Sequence, residues 1–194
     1  MSAKRIIDVV LPLLENQGRN RTYLDIGANV GNTTNICTHF FNNIHSFEPN
    51  PNAIELFKQN VDLTNVMLHE IAISNFIGQT TLTEPNDRSD YSTISKRRLA
   101  KWVKQNNTYK NFEVDVKTVD SFNFQDVDFM KIDTEQSENE VVEGSLETIK
   151  RCSPIIFMEN KRKEASVAKD LIIQLGYNVR TYRADMLFVK KEQS

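Results

Sequence analysis

The sequence predicts an α/β fold: a doubly wound, seven-stranded, mostly parallel sheet with helices on both faces and an antiparallel C-terminal hairpin. Three observations carry that expectation. Short apolar runs alternate with stretches of helical spacing along most of the chain, the order that builds parallel sheets from strand–helix–strand units. Carboxylates stand at or beside the ends of these runs, at Asp25, Glu48, Asp133 and Glu159, and such sheets bind ligands outside the carboxyl ends of their strands. The first run, Tyr23-Leu24-Asp25-Ile26, breaks into Gly27-Ala28-Asn29-Val30-Gly31. Gly27 can take a positive φ and Gly31 lets helix and strand backbones approach, as a turn against a nucleotide-like ligand requires.

Length and composition set the bounds. With 194 residues, 39% hydrophobic and 26% charged, the chain is expected to form one domain over 1–194 with an ordinary core. No stretch approaches the roughly 18 apolar residues of a membrane helix. Met1-Ser2-Ala3-Lys4-Arg5 leads into an amphipathic segment, not a signal sequence, so membrane insertion is not expected. Cys37 and Cys152 are the two cysteines. Neither has metal or redox spacing, which predicts free thiols in a reducing compartment, the cytoplasm.

Ile6, Ile7, Val10, Leu13 and Leu14 keep helical spacing, so 3–16 reads as a helix on the sheet, bent at Pro12. After the first strand, Ile36, Cys37, Phe40 and Phe41 form the apolar face of a helix whose N-terminal amides face the ligand. Ile44 to Phe47 is the second strand, ending in Glu48. Pro49 and Pro51 then open a helix bearing Ala53, Leu56, Phe57 and Val61 on one side. Val66 to His69 is the third strand, and residues 70–83 read as strand, turn and strand, with the turn at Asn75 to Gly78. Pro85 to Ser95 is polar and turn-rich, followed by a short helix with Leu99, Trp102 and Val103 inward. The stretch 84–111 is expected to be a lid or acceptor-binding insert, because long irregular loops are usually functional. Val114, Val116 and Val119 mark an extended segment, Phe129 to Asp133 a buried strand, and Val141, Val142, Leu146 and Ile149 the helix after it. Pro154 to Glu159 is a further strand, Ala168, Leu171, Ile172 and Leu175 a helix, and strands near 178–182 and 186–190 close the chain as a hairpin. The arrangement is Rossmann-like.

The glycine turn reads Gly-x-x-x-Gly with Asn29 inside it, not the Gly-x-Gly-x-x-Gly that cradles a pyrophosphate, so a nicotinamide dinucleotide fits poorly. Asp25 just before the turn is placed to take an ammonium group, the order found in S-adenosylmethionine sites. Glu48 follows the first glycine by about 20 residues, where a carboxylate accepts hydrogen bonds from a ribose diol.

Residues 24–34 (Leu-Asp-Ile-Gly-Ala-Asn-Val-Gly-Asn-Thr-Thr), 46–51 (Ser-Phe-Glu-Pro-Asn-Pro), Ala72-Ile73 and 130–135 (Met-Lys-Ile-Asp-Thr-Glu) resemble, in order and spacing, the FkbM-type family of class I S-adenosylmethionine-dependent methyltransferases. The likeness runs over residues 20–180. It implies O-methylation of a sugar or other hydroxylated small-molecule or glycan acceptor. It also implies cofactor binding by Asp25, Gly27, Ala28, Asn29, Gly31, Glu48, Pro49, Ala72 and Asp133, with Ala72-Ile73 near the adenine. The family reads Asp-x-Glu-Gly-x-Glu after its fourth strand. Here the residues are Asp133-Thr134-Glu135-Gln136-Ser137-Glu138, so Gln136 replaces a glycine, and the local backbone and the substrate pocket are expected to depart from the family pattern.

Asp133 and Glu135 are the candidate catalytic pair, because an acceptor hydroxyl must be aligned with the methyl and relieved of its proton. The same oxygens suit a hard divalent ion, whereas the lack of nearby His and Cys disfavours zinc; no metal ligand is assigned. Glu138 and Glu159 are weaker candidates for the same roles, Glu138 reading also as a first-turn helix charge and Glu159 as a partner for Lys161 or Arg162; Lys131 reads as a structural or pocket charge, and His39, His45 and His69 as surface or satisfied core groups. Residues 96–104 hold Lys96, Arg97, Arg98, Lys101 and Lys104 with no acid, and Lys161, Arg162 and Lys163 directly follow a strand end. Arg97, Arg98, Lys161 and Arg162 are therefore candidate contacts to an anionic acceptor, such as a phosphorylated or nucleotide-linked sugar, with nucleic acid less favoured. Solvated helix faces are the alternative. Two further functions stay open. One is a cofactor-binding module without chemistry; the other is a nucleic-acid 2′-O-methyltransferase using Asp133 and Lys161. Oligomeric state is left open.

Overall fold

The computed structural model describes residues 3–85, 92–95, 99, 108–160 and 166–191. Its strands are β1 (Thr22–Ile26), β2 (Asn43–Phe47), β3 (Val66–His69), β4 (Ala72–Ile73), β5 (Gly78–Pro85), β6 (Tyr109–Lys117), β7 (Val127–Ile132), β8 (Ile155–Glu159), β9 (Tyr177–Tyr182) and β10 (Asp185–Lys190). Seven of them form the expected sheet in the order β3-β2-β1-β7-β8-β10-β9. It is parallel from β3 through β8, and β10 runs antiparallel to both β8 and β9. The strand order reverses at β1, where a crevice opens between the loops that leave β1 and β7.

Strands β1 and β8 are buried at every position, which is why they read as near-continuous apolar runs without alternation. Their side chains feed two cores. Helices α1 (3–16), α2 (Asn32–Cys37) and α3 (Pro51–Asn60) cover one face, packing Ile6, Val10, Cys37 and Phe57 on Tyr23, Phe129 and Phe157. Helices α4 (Glu138–Glu143), α5 (Leu146–Cys152) and α6 (Ser166–Gln174) cover the other, packing Val141, Ile149 and Ile172 on Leu24, Met130 and Ile156. Among the described residues no helix is long and apolar enough to cross a membrane.

The structure departs from the predicted elements at three places, each for a physical reason. The bend expected at Pro12 is a π-helical turn over Ile6–Val10, closed by the Leu11 amide on the Ile6 carbonyl, because the proline ring cannot sit over the carbonyl four residues back. The helix after β7 is two helices. Gly144 separates them, and a Cβ there would lie 2.1 Å from the Ser74 carbonyl oxygen. The flanking segments β4, β5 and β6 form a separate three-stranded sheet in the order β4-β6-β5, and Val119 opens a 3-10 turn beyond it, capped by the Thr118 side chain on the Ser121 amide. Residues 84–85 and 109–111 of the expected insert belong to this β5–β6 ladder, and Thr93 pairs with Thr83 beside it. Trp102, Val103 and the basic cluster at 96–104 lie outside the described residues.

His45 and His69 are not isolated. His45 Nδ1 lies 3.0 Å from His69 Nε2; the His45 ring packs on Phe124 and the His69 ring on Phe47 and Phe122. Burial, then the neighbouring His45 and Lys117, push the His69 pKa down to about 4. The unfolded chain therefore binds a proton between about pH 6.5 and 4 that the folded chain refuses, so this group costs stability as the pH falls. Urea denaturation should show His69→Phe gaining stability relative to wild type on going from pH 7.5 to 5. A difference that is constant with pH would show that the pair does not resist protonation.

Candidate active site

A cavity of about 290 Å³ opens at the carboxyl ends of β1, β2 and β7. Its floor is the turn after β1. Gly27 has φ +78°, and a Cβ on it would lie 2.1 Å from the Asp133 carbonyl oxygen, so only glycine lets the β1 and β7 exits come this close. The Gly27 and Ala28 amides donate to the Phe47 carbonyl at 3.0 and 3.1 Å, and the Asp133 amide donates to the Ile26 carbonyl at 3.0 Å. Three strand ends are thereby laced around one hollow.

Gly27, Ala28, Asn29, Glu48, Pro49, Ala72, Asp133 and Glu135 gather here, but Asp25 and Gly31 do not belong to the cavity wall. Asp25 is fully buried and faces α2. Its Oδ1 accepts from Lys131 Nζ at 2.7 Å, and its Oδ2 accepts from the Thr33 and Thr34 hydroxyls at 2.8 and 2.7 Å. Lys131 also donates to the Gly27 carbonyl at 2.9 Å. The ammonium that Asp25 holds is thus the protein's own. Asp25 and Lys131 sit side by side in the β1–β7 register, a pairing that sequence spacing alone does not contain.

Glu48 occupies the β2 side of the cavity. Its Oε2 accepts from the Asn29 amide at 2.8 Å and its Oε1 from the Asn50 amide at 2.9 Å. Burial raises its pKa to about 7 even though both amides favour the charged form. Asn50 then reaches across to the buried Glu84 and to the Ser92 hydroxyl, and Asn52 donates to Glu84 at 3.1 Å. These side chains were missed in the sequence; they fasten the small sheet to the cavity, where Leu82, Ser92, Thr93 and Ile94 form a wall.

Asp133, Thr134, Glu135 and Ser137 line the β7 side. Glu135 and Gln136 are consecutive left-handed residues, at φ +53° and +80°. Gln136 therefore adopts a backbone conformation that favours glycine, and the turn carries strain there. Glu138 supports the turn from below. Its Oε1 accepts from the Thr134 and Gln136 amides, each at 3.2 Å, and burial raises its pKa to about 7. Thr93 holds the turn from above, donating to the Glu135 carbonyl at 2.7 Å. Carboxylate oxygens of Asp133, Glu135 and Glu159 lie within 4.8 Å of one another, an all-oxygen donor set of the kind that suits a hard divalent ion. Arg97, Arg98, Lys161 and Arg162 lie outside the described residues.

The seven-stranded, mostly parallel sheet with its antiparallel C-terminal strands is the Rossmann-like fold of class I methyltransferases, and solved structures share it. Methyltransferase FkbM from Methylobacillus flagellatus KT superposes with a TM-score of 0.61 at 12% identity, over 87% of this chain and 43% of that one. Magnesium protoporphyrin IX methyltransferase from Synechocystis PCC 6803, solved with bound S-adenosylmethionine, gives 0.54 at 8% identity, over 97% and 79%. An rRNA methylase from Streptococcus thermophilus gives 0.54 at 11%, over 98% and 100%. At these identities the likeness is one of fold, and the chain spans 43% of the length of the Methylobacillus protein. Residues 25–183 match the methyltransferase FkbM domain model, and the chain belongs to that family. No curated protein matches it.

Relief of the strain at Gln136 is measurable. Gln136→Gly should raise stability by about 1 kcal/mol, from removing a left-handed non-glycine residue, as read by chemical denaturation. A loss of stability would show that the glutamine side chain contributes contacts worth more than the strain.

Proposed function

We propose that this chain is an S-adenosylmethionine-dependent O-methyltransferase acting on a hydroxyl of a sugar or another polyol. One observation supports the reading above the rest: a single cavity joins Glu48 on its β2 side to Asp133 and Glu135 on its β7 side. The residues suit the cofactor. Glu48 offers carboxylate oxygens to a ribose diol, and Pro49, Ile71, Ala72 and Ile73 offer an apolar slot to an adenine. When bound, the cofactor supplies an electrophilic methyl group.

The protein's remaining work is alignment and proton removal. In this reading Asp133 and Glu135 accept hydrogen bonds from acceptor hydroxyls, and one of the two takes the proton. Adjacent carboxylates match neighbouring hydroxyls of a sugar ring better than they match an anion. A phosphate on the acceptor would accordingly be met at Arg97, Arg98, Lys161 and Arg162, the proposed anion contacts. Free thiols at Cys37 and Cys152 fit a reducing, cytoplasmic setting.

The cofactor assignment has a pH signature. Glu48 has a pKa of about 7 in the free protein, and a ribose diol donates to its ionised form. Calorimetric affinity for S-adenosylhomocysteine should therefore fall as the pH drops below 7, approaching tenfold per pH unit, and Glu48→Gln should bind weakly at every pH. Tight binding that ignores both the pH and the substitution would remove Glu48 from the site.

A further inference from the structure

Among the described residues, Lys131 is the one cation in the cavity wall, and it shares that wall with the carboxylates of Glu48, Asp133 and Glu135. It is 2% exposed. An ammonium carries three N–H donors. Two are placed, on Asp25 and on the Gly27 carbonyl. Asp25 does not need the whole charge, because two threonine hydroxyls also donate to it.

S-adenosylmethionine carries an ammonium, a sulfonium and a single carboxylate. Beside these carboxylates, a cation in the wall is the strongest partner for an anionic group. We propose that Lys131 binds the carboxylate of the cofactor's amino-acid tail with its third N–H, an assignment that rests on the cofactor reading above. The ion pair then has two tasks. It fixes the turn through the Gly27 carbonyl, and it sets the direction of the cofactor, nucleoside toward Glu48 and Ala72, tail toward Lys131. Burial disfavours the charged form of Lys131, but Asp25 and Asp133 outweigh it and raise the pKa above its ordinary value, so the charge is present at neutral pH.

Calorimetry with two ligands tests this: S-adenosylhomocysteine, and its decarboxylated analogue, which keeps the nucleoside, the thioether and the amine. Wild type should prefer S-adenosylhomocysteine by about tenfold or more, the scale of one charge-assisted hydrogen bond. Lys131→Met should lose that preference and bind the analogue within about twofold of wild type. Because Lys131→Met leaves Asp25 buried without its counter-ion, Asp25→Asn/Lys131→Met serves as a charge-neutral partner variant and should behave alike. Equal wild-type affinity for both ligands overturns the assignment, as does a preference that survives in the variants. Wild type binding neither ligand overturns the cofactor reading itself, and this inference with it.

Discussion

The carboxylate of Asp25 is fully buried and carries three donors: the Lys131 ammonium and the hydroxyls of Thr33 and Thr34. Through them, β1 is tied to β7 on one side and to the first turn of α2 on the other. Lys131 extends the tie to the Gly27 carbonyl, so the turn after β1 is held from beneath. Removing one member of such a buried pair costs about 3–5 kcal/mol, because a charge is left in the interior without compensation. The close passage of Gly27 over Asp133 depends on this arrangement, since the two strand exits must stay in register for the turn to fit.

Two arms extend from that centre. Glu48 is set by the amides of Asn29 and Asn50, and Asn50 passes the connection to Glu84 and Ser92. The Asp133–Glu138 turn is set by the Glu138 carboxylate below and by the Thr93 hydroxyl above. Residues 92–93 touch both arms. The small β4-β6-β5 sheet is thus more than an appendage: it supplies one wall of the cavity and joins the side read as nucleoside-binding to the side read as acceptor-binding.

Much of this was legible in the sequence, and the limits have physical causes. Gly27, Glu48 and Asp133 announce themselves because a turn and its strand ends are local, so their chemistry survives in spacing. The internal use of Asp25 is not local. It depends on the register of β1 against β7, strands joined by some hundred intervening residues, and no periodicity encodes that pairing. Gly144 reads as a weak helical residue until the Ser74 carbonyl is known to press on it. Gln136 reads as a departure from the family pattern, yet Glu138 and Thr93 clamp the turn strongly enough to hold a left-handed glutamine.

We propose that one cavity holds an adenosyl cofactor with its ribose on Glu48 and its methyl-bearing end toward Asp133 and Glu135. A crystal structure with S-adenosylhomocysteine tests it most directly. Ribose hydroxyls should lie at hydrogen-bonding distance from the Glu48 carboxylate, with the adenine against Ala72 and Ile73. Density for the ligand elsewhere, or in this cavity with Glu48 turned away from it, would rule this placement out.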